Sequence, residues 1–238
     1  MLVSSTFYVF GKALPTANRM IADTEKYDYR DRFKFAVEIM DFMRRHARTE
    51  TLVFGKENIP KDEGFVMYSN HQGKYDALGI MIYLGQPTSV LWEKKAAGRF
   101  LSMQMVGLLD AVAIDLEDPR DIVHSINKCI DIVNSGRNML IFPEGGYTDT
   151  NHNDFQEFKT GCMSVSLKTK STILPICIYD SYKSMNSNTF EKVVTEVHFL
   201  KPIPYEEYKD LKKKDLTELV KSRIEEKMIE IKREHGSL

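Results

Sequence analysis

Only three cysteines occur in the 238 residues, Cys129, Cys162 and Cys177, odd in number, widely separated and in no C-x-x-C spacing. That excludes a disulfide framework or a thiolate metal site and predicts reduced thiols in a cytoplasmic protein. The six histidines include no H-E-x-x-H or comparable ligand spacing, so no metal is implied. No window supplies the roughly 20 apolar residues that a spanning helix needs. The opening MLVSSTFYVFGKALP has no basic stretch or cleavage site, so it does not read as a signal peptide. A surface position on a membrane stays open. Neither sign of charge dominates, with 33 Lys and Arg against 34 Asp and Glu, and a nucleic-acid partner held by a broad positive field is not expected. A G-x-S-x-G nucleophile elbow is missing as well.

Hydrophobic residues at 42% and charged residues at 28% are ordinary for a folded chain with one core. In DRFKFAVEIMDFMRRHA, Phe33, Val37, Met40 and Met43 recur at helical spacing beside Phe35, Ile39 and Phe42. This predicts an amphipathic helix whose aromatic stripe faces either the core or a membrane surface. Residues 1–48 are read as an N-terminal amphipathic helical segment ahead of a domain over 49–238.

Seven short runs then read as strands: TLVF, FVMYS, TSVLW, AVAID, MLIFP, ILPICI and VVTEVHFL. The clearest helix between them starts at EDPRDIVHSINKCIDIVNSG, with Asp118 as N-cap, Pro119 at the first helical position and Gly136 past the end. A last helix carries Leu216, Leu219, Val220, Ile224 and Met228 on one side. Alternation of this kind predicts a single α/β domain, a mixed but largely parallel sheet flanked by helices. Ligands in such folds gather beyond the carboxyl ends of strands.

Two of those ends carry chemistry. In YSNHQGKYDALG, His71 follows a strand and Asp76 enters a helix, so the carboxylate can fold back onto one ring nitrogen and leave the other to take a proton. By spacing alone, Asp76 capping the helix start is the favoured reading. In NMLIFPEGGYTD, Glu144 is followed by Gly145 and Gly146, a turn that lets a ligand approach the backbone and can present N–H groups to negative charge.

Together and in this order the two corners resemble the glycerolipid acyltransferase family. NHQGKYD looks like its N-H-x-x-x-x-D block and FPEG like its third block. WEKKAAGRFLSMQMVGLLDAVAID is similar to the second block, with Lys94 or Lys95 early, Gly107 central and Asp115 near the end. FKTGCMSVSLKTKSTILPICI leads to the fourth, where Pro175 is expected to end a short strand. The likeness runs over residues 50 to 200.

The resemblance implies a glycerol-phosphate acyltransferase-like fold, His71 as catalytic base and Asp76 as its partner. It implies transfer of an acyl group from a coenzyme A or acyl carrier protein thioester to a lysophospholipid hydroxyl, with 1-acyl-glycerol-3-phosphate as acceptor and no resident cofactor. Glu144, Gly145, Gly146, Tyr147, Lys94, Lys95, Asp115 and Lys159 are the implied substrate-binding residues. The chain departs from the family where it matters for phosphate. Gly146 and Tyr147 stand where the third block continues with threonine and arginine, and Leu116 stands where the second ends in arginine. Lys94, Lys95, Arg99, Arg120 and Lys159 are the candidate replacements, lysine being a competent phosphate ligand. Another lysophospholipid or alcohol acceptor, plain hydrolysis and a membrane-surface lipid-binding module remain the alternatives. A peripheral, monotopic position on the inner face of the cell membrane is expected, held mainly by Phe7, Tyr8, Phe10 and the aromatic helix face, because nine Lys and Arg against seven Asp and Glu in the first fifty residues attract anionic lipid only weakly.

Overall fold

The computed structural model describes residues 8–62, 64–97, 101–185 and 191–237. Seven strands form one sheet: β1 (Thr49–Phe54), β2 (Val66–Ser69), β3 (Thr88–Glu93), β4 (Val112–Ile114), β5 (Asn138–Ile141), β6 (Ile173–Tyr179) and β7 (Val193–Phe199), in the order β1-β7-β6-β2-β5-β3-β4. All pairings are parallel except β6 with β7. Each predicted run lies on one of these strands. β2, β5 and β6 are buried along their whole length, as expected for strands covered on both faces.

Side chains alternate between two cores. Met67, Leu140 and Leu174 face one that holds the helices Tyr29–His46 and Asp76–Leu84, while Val66, Tyr68, Met139 and Ile141 face another with the helices Pro119–Asn134 and Lys213–Glu234. The aromatic stripe of Tyr29–His46 turns inward, burying Phe33, Phe35, Ala36, Ile39 and Met40. Its start is fixed by Asp28, whose side chain accepts from Arg30 N at 2.8 Å and Asp31 N at 2.9 Å. Asp118 caps Pro119–Asn134 as predicted, accepting from Arg120 N at 2.9 Å. Gly107 lets the helix Ser102–Leu108 lie against Leu14–Ala22, since a Cβ there would come within 2.6 Å of Ile21 Cδ1.

Pro175 does not end a strand; it lies inside β6. Its carbonyl accepts from Leu200 N at 3.0 Å, on the side where the ladder with β7 begins only at Ile176. A residue's N–H and C=O point to the same side of a strand, so the missing donor faces that gap and no bond to β2 is lost. The three cysteines are free and buried, and burial pushes the Cys129 and Cys162 thiols up to about 12.

Arg32 ties the first long helix to the sheet. Its guanidinium donates to Asp110 Oδ1 at 2.5 Å and Oδ2 at 2.8 Å and to Gly107 O at 3.0 Å, and Arg137 donates to Asp110 Oδ2 at 2.8 Å. Burial opposes the Asp110 carboxylate, yet hydrogen bonds from Arg32 and Arg137 outweigh it and hold its pKa below the usual value. The stability this contributes is present above about pH 4, the unfolded carboxylate pKa, and is lost as pH falls through the folded value. Arg32→Ala is expected to cost about 2 kcal/mol, less than a fully broken buried pair because Arg137 remains. The melting temperature should drop by roughly 4–8 °C; an unchanged value would make the pair ornamental.

Candidate functional site

β2 and β5 are adjacent and parallel, with Tyr68 opposite Ile141, so their carboxyl ends deliver both corners to one place. β6 lies on the other side of β2 and brings the residues after Tyr179 to the same end.

At the β2 corner the chain passes through Asn70, His71 and Gly73 into the helix Asp76–Leu84. The side chain of Asp76 caps nothing in its own helix and turns back instead. His71 Nδ1–H donates to Asp76 Oδ2 at 2.6 Å, and the same oxygen accepts from Gln72 N at 2.5 Å and Gly73 N at 2.9 Å. Ser181 Oγ donates to Oδ1 at 2.6 Å. The Asp76 side chain is fully buried and that of His71 is 18% exposed. A carboxylate that only accepts fixes the imidazole proton on Nδ1. Nε2 then carries a lone pair and has no partner among the described residues. Phe142 stacks on the ring at 4.2 Å and Tyr147 meets it edge-on at 4.8 Å, so its orientation is held on two sides.

At the β5 corner Glu144 binds the two loops together. Oε1 accepts from His71 N at 2.8 Å, and Oε2 from Gln156 N at 3.0 Å and Nε2 at 3.3 Å. Burial raises the Glu144 pKa, and the N–H groups of Gln156 and His71 oppose that shift without cancelling it. Of the two glycines, Gly145 uses its N–H to close the turn on Phe142 O at 3.0 Å. Gly146 N–H has no partner among the described residues. Gly145 sits at φ +77°, and a Cβ there would lie 2.9 Å from Lys159 Nζ and 3.3 Å from Leu116 Cδ1. The Lys159 ammonium therefore stands over the glycine turn, with Leu116 beside it.

The structure thus brings His71, Asp76, Glu144, Gly145, Gly146, Tyr147 and Lys159 to one corner. Lys94 pairs with Asp121 at 2.6 Å and Lys95 with Glu117, and neither has a contact with that corner among the described residues. Asp115 accepts from Glu117 N at 3.0 Å within its own turn. Arg120 is exposed at a helix start, and Arg99 lies outside the described residues. Sequence reasoning missed Ser181 and Gln156. Only the position of Ser181 just past a strand pointed to it; no local pattern marks Gln156.

A model of the acyltransferase family, described as Acyltransferase, matches residues 50–179, more than half of the chain and both corners. The chain belongs to this family. It is 29% identical over 192 residues to the 1-acyl-sn-glycerol-3-phosphate acyltransferase of Borreliella burgdorferi, covering 78% of this chain and 74% of that protein. It is also 29% identical over 143 residues to a chloroplastic 1-acyl-sn-glycerol-3-phosphate acyltransferase of Brassica napus, covering 57% of this chain but only 39% of that one. The crystal structure of the LPA acyltransferase PlsC from Thermotoga maritima is similar with a TM-score of 0.72 and 22% identity, over 96% of this chain and 92% of that one. That likeness speaks for the fold. No helix among the described residues of this acyltransferase is long and apolar enough to cross a membrane.

Proposed function

We propose that the acyltransferase moves a fatty acyl group from a thioester of coenzyme A or acyl carrier protein to the free hydroxyl of 1-acyl-glycerol-3-phosphate, giving phosphatidate. The observation that carries this is an imidazole with Nδ1 tied to a buried carboxylate and Nε2 unpartnered beside a glycine turn. The acceptor hydroxyl gives its proton to Nε2 as its oxygen attacks the thioester carbonyl carbon. The tetrahedral intermediate places negative charge on the former carbonyl oxygen, and Gly146 N–H is the donor assigned to it. The C–S bond then breaks, the new ester remains, and His71 returns the proton to the departing thiolate. Asp76 acts as a positioning residue for the imidazole.

Lys159 is assigned to the acceptor's phosphate in place of the missing arginines, because its ammonium overhangs the turn and has no ion-pair partner among the described residues. A lysine is a point charge without the bidentate fork of arginine. Lys159→Ala is expected to raise the KM for lysophosphatidate about tenfold, the worth of one charge-assisted hydrogen bond, with kcat changed much less. A tenfold loss in kcat at constant KM would place Lys159 elsewhere in the reaction.

The assay is the consumption of an acyl thioester by the purified protein with and without acceptors. Consumption only when lysophosphatidate is present supports the proposal. Consumption without acceptor means hydrolysis. Saturable lipid binding without turnover, unaffected by His71→Ala, means a binding module.

The lipid acceptor has to come from a bilayer, and we infer a peripheral position on the inner face of the cell membrane. Of the residues expected to hold it there, Phe7 lies outside the described residues and Tyr8 stacks on Phe42 at 4.0 Å. Phe10 is 58% exposed. Met103, 69% exposed, lies on the helix Ser102–Leu108, where Gln104 donates to Asn18 at 3.2 Å on the N-terminal helix. Phe10→Asp with Met103→Asp is expected to lower partitioning onto anionic vesicles at least tenfold in a sedimentation assay, since each replacement removes apolar burial and adds repulsion. Undiminished sedimentation would move the membrane contact to another face.

A further inference from the structure

An open cleft of about 930 Å³ adjoins the catalytic corner, lined in part by Gln72, Lys74 and Thr148. Gln72 follows His71 in the chain, and Thr148 follows Tyr147, whose ring rests edge-on against the imidazole. The cleft therefore reaches the residue that follows the base and the residue that follows the ring packed against it. His152, stacked on Tyr182 at 4.3 Å, forms another part of its lining.

A phosphomonoester fills little of such a volume, which matches sites for ligands the size of a whole head group. The charges of the lining are balanced, Lys74, Lys183 and Lys192 against Asp149, Asp180 and Glu191. Some of these already neutralise each other or a neighbour. Lys183 pairs with Asp180 at 2.6 Å, Lys192 pairs with Glu50, and Glu191 is engaged as well. Lys74 and Asp149, both exposed, have no hydrogen bond or ion pair among the described residues. A cleft built for phosphate alone would set Asp149 against its ligand. One built for a cation alone would do the same with Lys74. One uncompensated charge of each sign suits a group that carries both.

We propose that this cleft takes the head group of a zwitterionic lysophospholipid, its phosphate turned from the Lys159 side used by lysophosphatidate toward Lys74 and its ammonium toward Asp149, so that such a lipid is a second acceptor at the same base. The inference rests on the acyltransferase reading above, and the chemistry is unchanged. The glycerol hydroxyl loses its proton to His71, the acyl carbon moves from sulfur to oxygen, and the thiol leaves with the proton.

The test uses the full chain, one acyl thioester and three acceptors in mixed micelles: lysophosphatidate, lysophosphatidylethanolamine and lysophosphatidylglycerol. Lysophosphatidylethanolamine should be acylated with kcat/KM at least tenfold above that of the equally large but anionic lysophosphatidylglycerol. Asp149→Asn should lower kcat/KM for lysophosphatidylethanolamine about tenfold, or about 1.4 kcal/mol, and lower its ratio to lysophosphatidate correspondingly. Lys74→Ala should also lower kcat/KM for lysophosphatidylethanolamine. Neither side chain holds another part of the fold, so both variants should keep the wild-type melting temperature. Turnover of lysophosphatidate alone overturns the proposal and leaves the acyltransferase reading standing. Equal use of the two larger head groups, or an equal loss on every acceptor in Asp149→Asn, overturns it as well, because room or structure would then explain the result. Failure of all three acceptors removes the acyltransferase reading and this inference together.

Discussion

His71→Ala is expected to lower the acceptor-dependent rate of thiol release about 10²- to 10⁴-fold, the range a positioned general base contributes. The protein should stay folded, because Asp76 keeps three of its four donors, from Gln72, Gly73 and Ser181. Glu144 likewise keeps its bond from the backbone N–H of residue 71, which alanine still supplies. His71→Gln should be no better, since an amide can hydrogen-bond a hydroxyl but cannot take its proton. The measurement is steady-state turnover at saturating donor and acceptor. A variant that retained more than a tenth of the wild-type rate would remove His71 from the role of base.

Asp76 carries the second large effect, and here activity and stability separate. Asp76→Ala leaves the His71 Nδ1–H, two backbone N–H groups and the Ser181 hydroxyl facing a void in a fully buried place. Each buried donor left unpaired costs about 1–3 kcal/mol, less where water can enter. A total near 4 kcal/mol places this among the exceptional single substitutions. The melting temperature should fall by roughly 8–16 °C. Asp76→Asn is milder on the fold, because an amide oxygen still accepts from the backbone and the Ser181 hydroxyl can reverse to accept from the amide nitrogen. Its stability loss should be about 1–2 kcal/mol. Its rate should still fall at least 10²-fold, since the neutral amide cannot offset the charge on a protonated imidazole. Combined with His71→Ala, the rate loss should not multiply, because the two side chains act as one unit. Full multiplication of the two losses would show that Asp76 serves the reaction by a route independent of His71.

The parts of the site that were legible are those written within a few residues of each other. The five-residue step from His71 to Asp76, across a strand end and into a helix, is itself a geometric statement: only a tight turn through Gly73 joins those elements, and it folds the carboxylate back. The pairing of the β2 and β5 corners was readable only as collinear order, and adjacency had to wait for the sheet. Lys94 and Lys95, named by resemblance, have their ammonium groups beside Asp121 and Glu117 once the chain is folded, a pairing no short stretch announces. At Pro175 the expectation of a strand end failed for a different reason. Whether a missing N–H matters depends on which neighbour lies beside it, and the gap next to β7 is a property of the sheet.

What the sequence determined by itself is local: the seven extended runs, the capped helix after Asp118 and the two reactive corners. Each is set by side-chain period and turn chemistry over a few residues, and these act before any distant contact exists. The tertiary structure alone decided the strand order, the inward turn of the aromatic stripe around Ile39, the delivery of Ser181 to a carboxylate 105 residues away and of Gln156 across a loop to Glu144, and which lysines are left without partners. Those outcomes follow from closing long loops so that two faces of one sheet are covered at once, a balance of burial and ion pairing that no short stretch of chain encodes.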